Sequence, residues 1–239
     1  MRMTKIIYKI GIVLAGLLLL QNCAGPSKST SYLKNGKSLY ENGKYEQAIN
    51  EFEAQLESHP ESAQLRYYLG LAYGHTDQYG KAYELHQQAA KLDTNATMDS
   101  LYADLFAQYA SSLSKDGKYD NAIGWADTAT NIDNQNDLAY YTKYMSRGLN
   151  LYHHASKWEL WDAIVAFGKA SQFQPDNPLP YYYSAKSYQM KNDKDFDNAI
   201  DAYQKALERN PSPQISEEIK SNLKELKRRK KLYEDFWGN

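Results

Sequence analysis

Cys23 is the only thiol in the 239-residue chain, so an intramolecular disulfide is excluded and a nucleophilic sulfur is left to be explained. Ahead of it stand three basic residues, Arg2, Lys5 and Lys9, and then an apolar run over 10–20. The run falls short of the roughly 20 apolar residues that a membrane-spanning helix needs, and has the size of a signal-peptide core. A cysteine placed just behind an exported leader is expected to be acylated. The second concentration of unusual side chains is His153, His154, Trp158 and Trp161. Adjacent histidines point about 100° apart on a helix and so rarely share one metal ion. No further ligands are evident, which leaves a structural corner or a partner-contact edge ahead of a zinc site. Asp193 and Asp195 lie in a turn, where solvation accounts for them. No paired carboxylates, no serine in a nucleophile elbow and no glycine-rich phosphate loop occur, so no catalytic residue, metal or cofactor is assigned and an enzyme is not expected. The net charge is −1 and the one basic run is 227–231, which argues against nucleic acid as a partner.

What must position these residues is a repeat. Tyr45 and Ala48 are followed by Tyr79 and Ala82, then by Tyr119 and Ala122, Ala163, and Phe196 and Ala199. Ala48 and Ala82 stand 34 residues apart, and the next two steps, to Ala122 and Ala163, are 40 and 41. Ala48, Ile49, Phe52 and Leu56 share one face at helical spacing, and His59-Pro60 ends that helix because proline cannot continue the ladder. Gly43 breaks the first hairpin. The pattern from Met98 to Leu113 predicts that the extra residues before Ala122 lengthen a helix, and a further helix with Leu138, Tyr141, Tyr144, Met145 and Leu149 is read as running on through Tyr152, while insertions in such arrays usually enlarge loops. Small residues at Gly36, Ala48, Gly70, Ala82, Ala122, Ala163 and Ala199, with Phe52 opposite, are expected to let paired helices approach closely. His86, which stands where Phe52 does, is expected to be a packing residue. The 22 tyrosines suit helix faces that pack on one side and stay wet on the other. A last helix over about 216–233 places Ile219, Leu223 and Leu226 on a stripe that would cover the final repeat. Its basic run 227–231 would offset the helix dipole, face anionic lipid or a partner, or do both.

Two resemblances follow from these residues. Leu20-Gln21-Asn22-Cys23 resembles a bacterial lipoprotein signal, although Gln21 and Asn22 stand where that signal has small residues. The resemblance implies a signal peptide at 1–22, a lipidated Cys23 with a short tether at 23–31, and export to the cell envelope, most often the outer membrane. The chain from about Ser29 to Ser212 resembles tetratricopeptide-repeat proteins on Tyr32, Gly36, Leu39, Tyr45, Ala48, Phe52 and Pro60 and their later counterparts. It implies an all-α fold, a right-handed α-solenoid of about five helix pairs over 32–212 (29–62, 63–96, 97–136, 137–177 and 178–212), closed by a capping helix at 213–239. Such arrays are scaffolds whose first helices line a groove for a peptide or partner helix. On that register Leu33, Lys37, Tyr40, Tyr67, Leu71, Ala107, Ser111, Tyr141, Met145, Tyr182, Lys186 and Met190 would face the groove, with Tyr67, Tyr141 and Tyr182 as the foremost contacts. The implied function is a membrane-anchored adaptor for envelope proteins. The alternatives are a subunit of the outer-membrane β-barrel assembly machinery, a pilus or secretion assembly lipoprotein, and a glycan-binding accessory lipoprotein. Exposed tyrosine patches or edges could also pair two copies.

Overall fold

The computed structural model describes residues 31–154, 156–191 and 194–237. Cys23, the leader and the tether lie outside the described residues, as does Asp193. A short 3-10 turn, Ser31–Leu33, leads into α1 (Lys34–Glu41), α2 (Tyr45–Ser58), α3 (Ala63–Gly74) and α4 (Tyr79–Leu92). Then come α5 (Ala96–Lys115), α6 (Tyr119–Ile132), α7 (Asp137–His154), α8 (Leu160–Phe173), α9 (Pro178–Lys191), α10 (Phe196–Leu207) and α11 (Pro213–Trp237). No strand occurs among the described residues. The helices fall into two compact units, one ending at Leu92 with two helix pairs, the other beginning at Asp93 with three pairs and the closing α11. Within each unit successive pairs stack as an all-α solenoid does.

The second helix of each pair keeps its length. Helices α2, α4, α6 and α8 have 14 residues each and α10 has 12. The first helices do not: α3 has 12 residues, α9 14, α7 18 and α5 20. The residues added before Ala122 therefore extend α5, as the Met98 pattern predicts. Those added before Ala163 extend α7 as well, which runs two residues past the expected Tyr152 to take in His153 and His154. The helix persists because its last turn is capped from within, His154 Nδ1 lying 3.1 Å from the Asn150 carbonyl oxygen. Trp158 falls in the turn that follows.

Close approach within the pairs depends on small residues. A Cβ on Gly36 would stand 2.3 Å from the Phe52 ring, and one on Gly148 would stand 2.4 Å from Phe167. Ala48, Ala82, Ala122, Ala163 and Ala199 have no exposed surface, Gly70 is buried, and His86 is buried beside Tyr67. The hairpin turns require left-handed backbone at Gly43 (φ 72°) and Gly117 (φ 76°), where a side chain would be strained.

A second device joins one pair to the next. The residue before a first helix caps it and also reaches back to the preceding first helix. Asn136 accepts from the Ala139 amide at 2.9 Å and donates to Asp104 at 2.7 Å. Asn177 accepts from the Leu179 amide at 3.1 Å and donates to the Tyr141 hydroxyl at 3.0 Å. In the first unit Ser62 caps through the Leu65 amide and meets the Tyr32 hydroxyl at 3.2 Å. Helix starts and repeat stacking are thus set by the same side chains.

Helix α11 buries Ile219, Leu223 and Leu226 against Tyr182, Ala185, Phe196 and Tyr203. The buried Tyr203 hydroxyl is satisfied twice, donating to Gln189 at 2.6 Å and accepting from Asn222 at 3.1 Å. The helix begins earlier and ends later than 216–233. Its basic run is partly neutralised, since Lys230 pairs with Asp197 and with Glu234 at 3.6 Å, and Arg228 pairs with Glu225 at 2.7 Å.

Candidate partner-binding groove

In the first unit the residues on open surface form an aromatic clasp. Tyr40 bonds His75 Nε2 through its hydroxyl at 3.0 Å, and His75 stacks on Tyr45 at 4.4 Å. Tyr40 meets Tyr68 edge-on at 6.3 Å, and the Lys37 ammonium lies 4.8 Å over the Tyr68 ring. Burial pushes the Tyr40 hydroxyl up to about 12 and lowers His75 below the usual histidine value. Both groups are therefore held neutral near pH 7. Leu33, Tyr67 and Leu71 do not share this surface. Tyr67 is only 1% exposed and packs beside His86, so its ring belongs to the core and offers a partner no contact area. Leu33 and Leu71 are buried likewise.

In the second unit α5 and α7 pack along one another, whereas α9 meets α7 only sparsely. The gap is a cleft of about 260 Å³. Its floor is Met145 with Leu149 and Leu179, its walls are Tyr119, Tyr141 and Tyr183, and Ser111, Ser114 and Lys115 stand at the α5 side. Thr142 also lines it. That residue is 2% exposed and its hydroxyl has no hydrogen-bond partner. Burial pushes the Tyr141 hydroxyl up to about 12, against the opposing effect of its bond from Asn177.

Of the residues expected on this groove, Tyr141 and Met145 line the cleft and Ser111 stands at its edge. Ala107 is fully buried. Tyr182 is buried too, its ring against Tyr203 and its hydroxyl accepting from Lys186 at 3.1 Å. It is pushed up to about 12, first by burial and then by Glu218. Lys186 also binds Glu218 at 3.1 Å; burial works against its charge, but these two partners more than offset that and raise it above a free lysine. Lys186 is thereby committed to α11. Met190 is exposed and is not among the cleft residues. Thr142, Leu149, Leu179 and Tyr183 were not foreseen. Leu149 continues the Tyr141 and Met145 stripe by one more turn, and Leu179 with Tyr183 makes an i, i+4 stripe on α9, so periodicity could have found these three.

The histidine and tryptophan corner separates into two places. His153 stacks on Tyr119 at 5.9 Å and meets Tyr152 edge-on at 5.0 Å, and burial lowers its pKa. Trp158 and Trp161 instead border a different cleft with Lys157 and Lys191. Among the described residues no group of three His, Cys, Asp or Glu side chains could hold a metal ion.

The repeat is recognised in the sequence itself, residues 33–97 and residues 181–213 each matching a tetratricopeptide-repeat model. These two segments are thus recognised as tetratricopeptide repeats. Similar solved structures include YrrB, described as a tetratricopeptide-repeat protein with an unusual peptide-binding site. It is 17% identical with a TM-score of 0.50, the match covering 80% of this chain and 90% of that one. The MamA protein is 20% identical with a TM-score of 0.50, covering 75% of this chain and 90% of that one. Identities this low establish a shared fold and no more. No curated protein matches the chain significantly.

Proposed function

We propose that this protein is a protein-interaction scaffold of the bacterial envelope, held at a membrane through a lipid on Cys23, whose second unit binds a peptide or helix of a partner protein. The observation that carries the reading is the α5–α7–α9 cleft, lined by the apolar Met145, Leu149 and Leu179 and the aromatic Tyr119, Tyr141 and Tyr183. A protruding leucine or aromatic side chain of a partner would fill it. The likeness in fold to a protein with a peptide-binding site supports a peptide over other ligands. The anchor rests on the basic stretch, the apolar run and the placement of Cys23, and the outer membrane is its expected destination. No helix among the described residues is long and apolar enough to cross a membrane, so attachment would fall to the acyl chains, each buried CH₂ contributing about 0.8 kcal/mol.

The test is affinity capture from native envelope membranes with the full-length protein, beside Cys23→Ala and Leu149→Lys versions. Capture of a stoichiometric partner set by the natural chain, lost with Leu149→Lys, is the expected result. The Cys23→Ala chain should leave the membrane fraction. Barrel-assembly, pilus or secretion proteins in that set would define the pathway. An undiminished set with Leu149→Lys would remove the cleft from the account, and membrane retention of the Cys23→Ala chain would remove the anchor. Capture of cell-wall glycan in place of protein would give the groove to sugar stacking.

A further inference from the structure

We propose that the chain pairs with a second copy of itself along one edge of the second unit, Phe236 and Trp237 of each copy seating in the Trp158 and Trp161 cleft of the other. Two features at the same end of the helix hairpins, neither used by the groove, carry this inference.

The first is a receiving cleft of about 490 Å³ lined by Lys157, Trp158, Trp161 and Lys191. Trp158 is 90% exposed and Trp161 is 50% exposed. Trp161 is nonetheless fixed in place, with Tyr188 edge-on at 6.2 Å and the Lys191 ammonium 4.9 Å over its ring. Lys191 is itself held by Asp195 at 3.3 Å. The nearby Glu159 folds back onto the Ser156 amide and hydroxyl at 2.8 and 2.7 Å, and so does not neutralise the rim. Lys157 has no ion pair among the described residues. The cleft is therefore aromatic with a cationic border.

The second is the last turn of α11. The helix packs as far as Tyr233, whose ring lies 6.1 Å from Phe196 with the Lys194 ammonium 5.2 Å over it. Beyond Tyr233 it continues without cover among the described residues. Phe236 is 81% exposed and Trp237 is 74% exposed, directly after the acidic Glu234 and Asp235. Exposed large apolar side chains in a cluster mark an interaction site. Helix α11 brings this turn to the start of α10, and the cleft lies at the end of α9, so donor and receiver share one edge. A two-fold pairing lets every copy give one tail and accept one.

The chemistry is complementary in both respects that matter. Two aromatic rings meet two indoles, the pairing that most often carries interface energy. The Asp235 carboxylate arrives opposite the Lys157 ammonium, neither of which has an ion pair among the described residues, while Glu234 and Lys191 keep their partners Lys230 and Asp195, and this one pairing fixes orientation. An aromatic side chain buries roughly 150–250 Å², so Phe236, Trp237, Trp158 and Trp161 of both copies together reach the order of 1,200 Å² at which specific interfaces begin.

The experiment is sedimentation equilibrium of the purified full chain in a nonionic detergent that masks the leader, with circular dichroism to confirm folding of each variant. The natural chain should self-associate. Phe236→Ala with Trp237→Ala should weaken that at least tenfold, and Trp158→Ala should do the same. Mixing the two variants should give mixed pairs, because one retains an intact cleft and the other an intact tail. An Asp235→Lys chain should likewise regain association only with a Lys157→Glu chain. A monomeric natural chain, association that both variants leave unchanged, or variants that fail to complement would each overturn the proposal. A monomer that binds an added acidic and aromatic peptide would also overturn it, and would assign the cleft to another protein.

Discussion

Two glycines do a job that no other residue type can do without displacing a ring. Gly36 and Gly148 lie against the Phe52 and Phe167 edges so closely that a methyl group has nowhere to go. Gly36→Ala and Gly148→Ala are each expected to destabilise the protein by about 1–3 kcal/mol, the usual cost of overpacking a filled core. Gly124 and Gly168 sit mid-helix with open space where a Cβ would stand. Gly124→Ala and Gly168→Ala should instead stabilise by about 0.5–1 kcal/mol, because alanine loses less freedom on folding. Urea denaturation of the four variants separates the cases by sign. At this scale the sequence was legible for packing and much less so for surface. The alanines at the helix crossings recur at near-regular spacing and are buried. Tyr67 and Tyr182 were misplaced, though Tyr141 was not, because neighbouring helical positions differ by about 100°. In both Tyr67-Tyr68 and Tyr182-Tyr183 the first ring turns inward, and the second is the one that reaches the open side.

Among the elements, the capping asparagines tie helix formation to stacking. Asn177 both starts α9 and grips Tyr141 on α7, across the cleft assigned to the partner. Asn177→Ala removes the cap and the inter-repeat bond together and is expected to cost about 1–2 kcal/mol. Asn177→Asp keeps the accepting oxygen for the Leu179 amide and loses the amide donor to Tyr141 and Gln174, so it should recover part of the loss. Thermal melts of the two variants against the natural chain give the comparison. Hydrogen exchange should show opening of the first turn of α9 in Asn177→Ala while the α10–α11 cluster stays protected. These links join residues some thirty positions apart through single side chains, which is why periodicity revealed the helices and not what fastens them. The long α5 was readable because its apolar pattern runs unbroken from Met98, and α7 was readable through Tyr152, its last two residues hidden because His153-His154 looks like a boundary and acts as a cap.

Across the molecule, tyrosine protonation should govern alkaline stability. Tyr40 and Tyr73 in the first unit and Tyr141 and Tyr182 in the second are pushed up to about 12, burial being the largest cause in each. The unfolded chain gives up these protons near pH 10 while the folded chain keeps them. The unfolded state therefore binds fewer protons between about 10 and 12, and the free energy of unfolding falls as pH rises through that window. Below pH 10 these groups should contribute no slope. Absorbance of tyrosinate, followed against unfolding by circular dichroism, should show part of the tyrosine ionising only as helix is lost. Both units are expected to respond, since each holds two of the four.

The fixed length of the second helices beside the variable first ones bears on how such a chain can change over generations. The second helices keep the stack in gauge, so added turns on α5 and α7 project from its ends without altering the spacing of what lies between. The added turn of α7 supplies His153 and His154, and the bend after it presents Trp158. New surface can thus be tried at the rim of an array whose interior sequence is already settled, and discarded without loss of the fold.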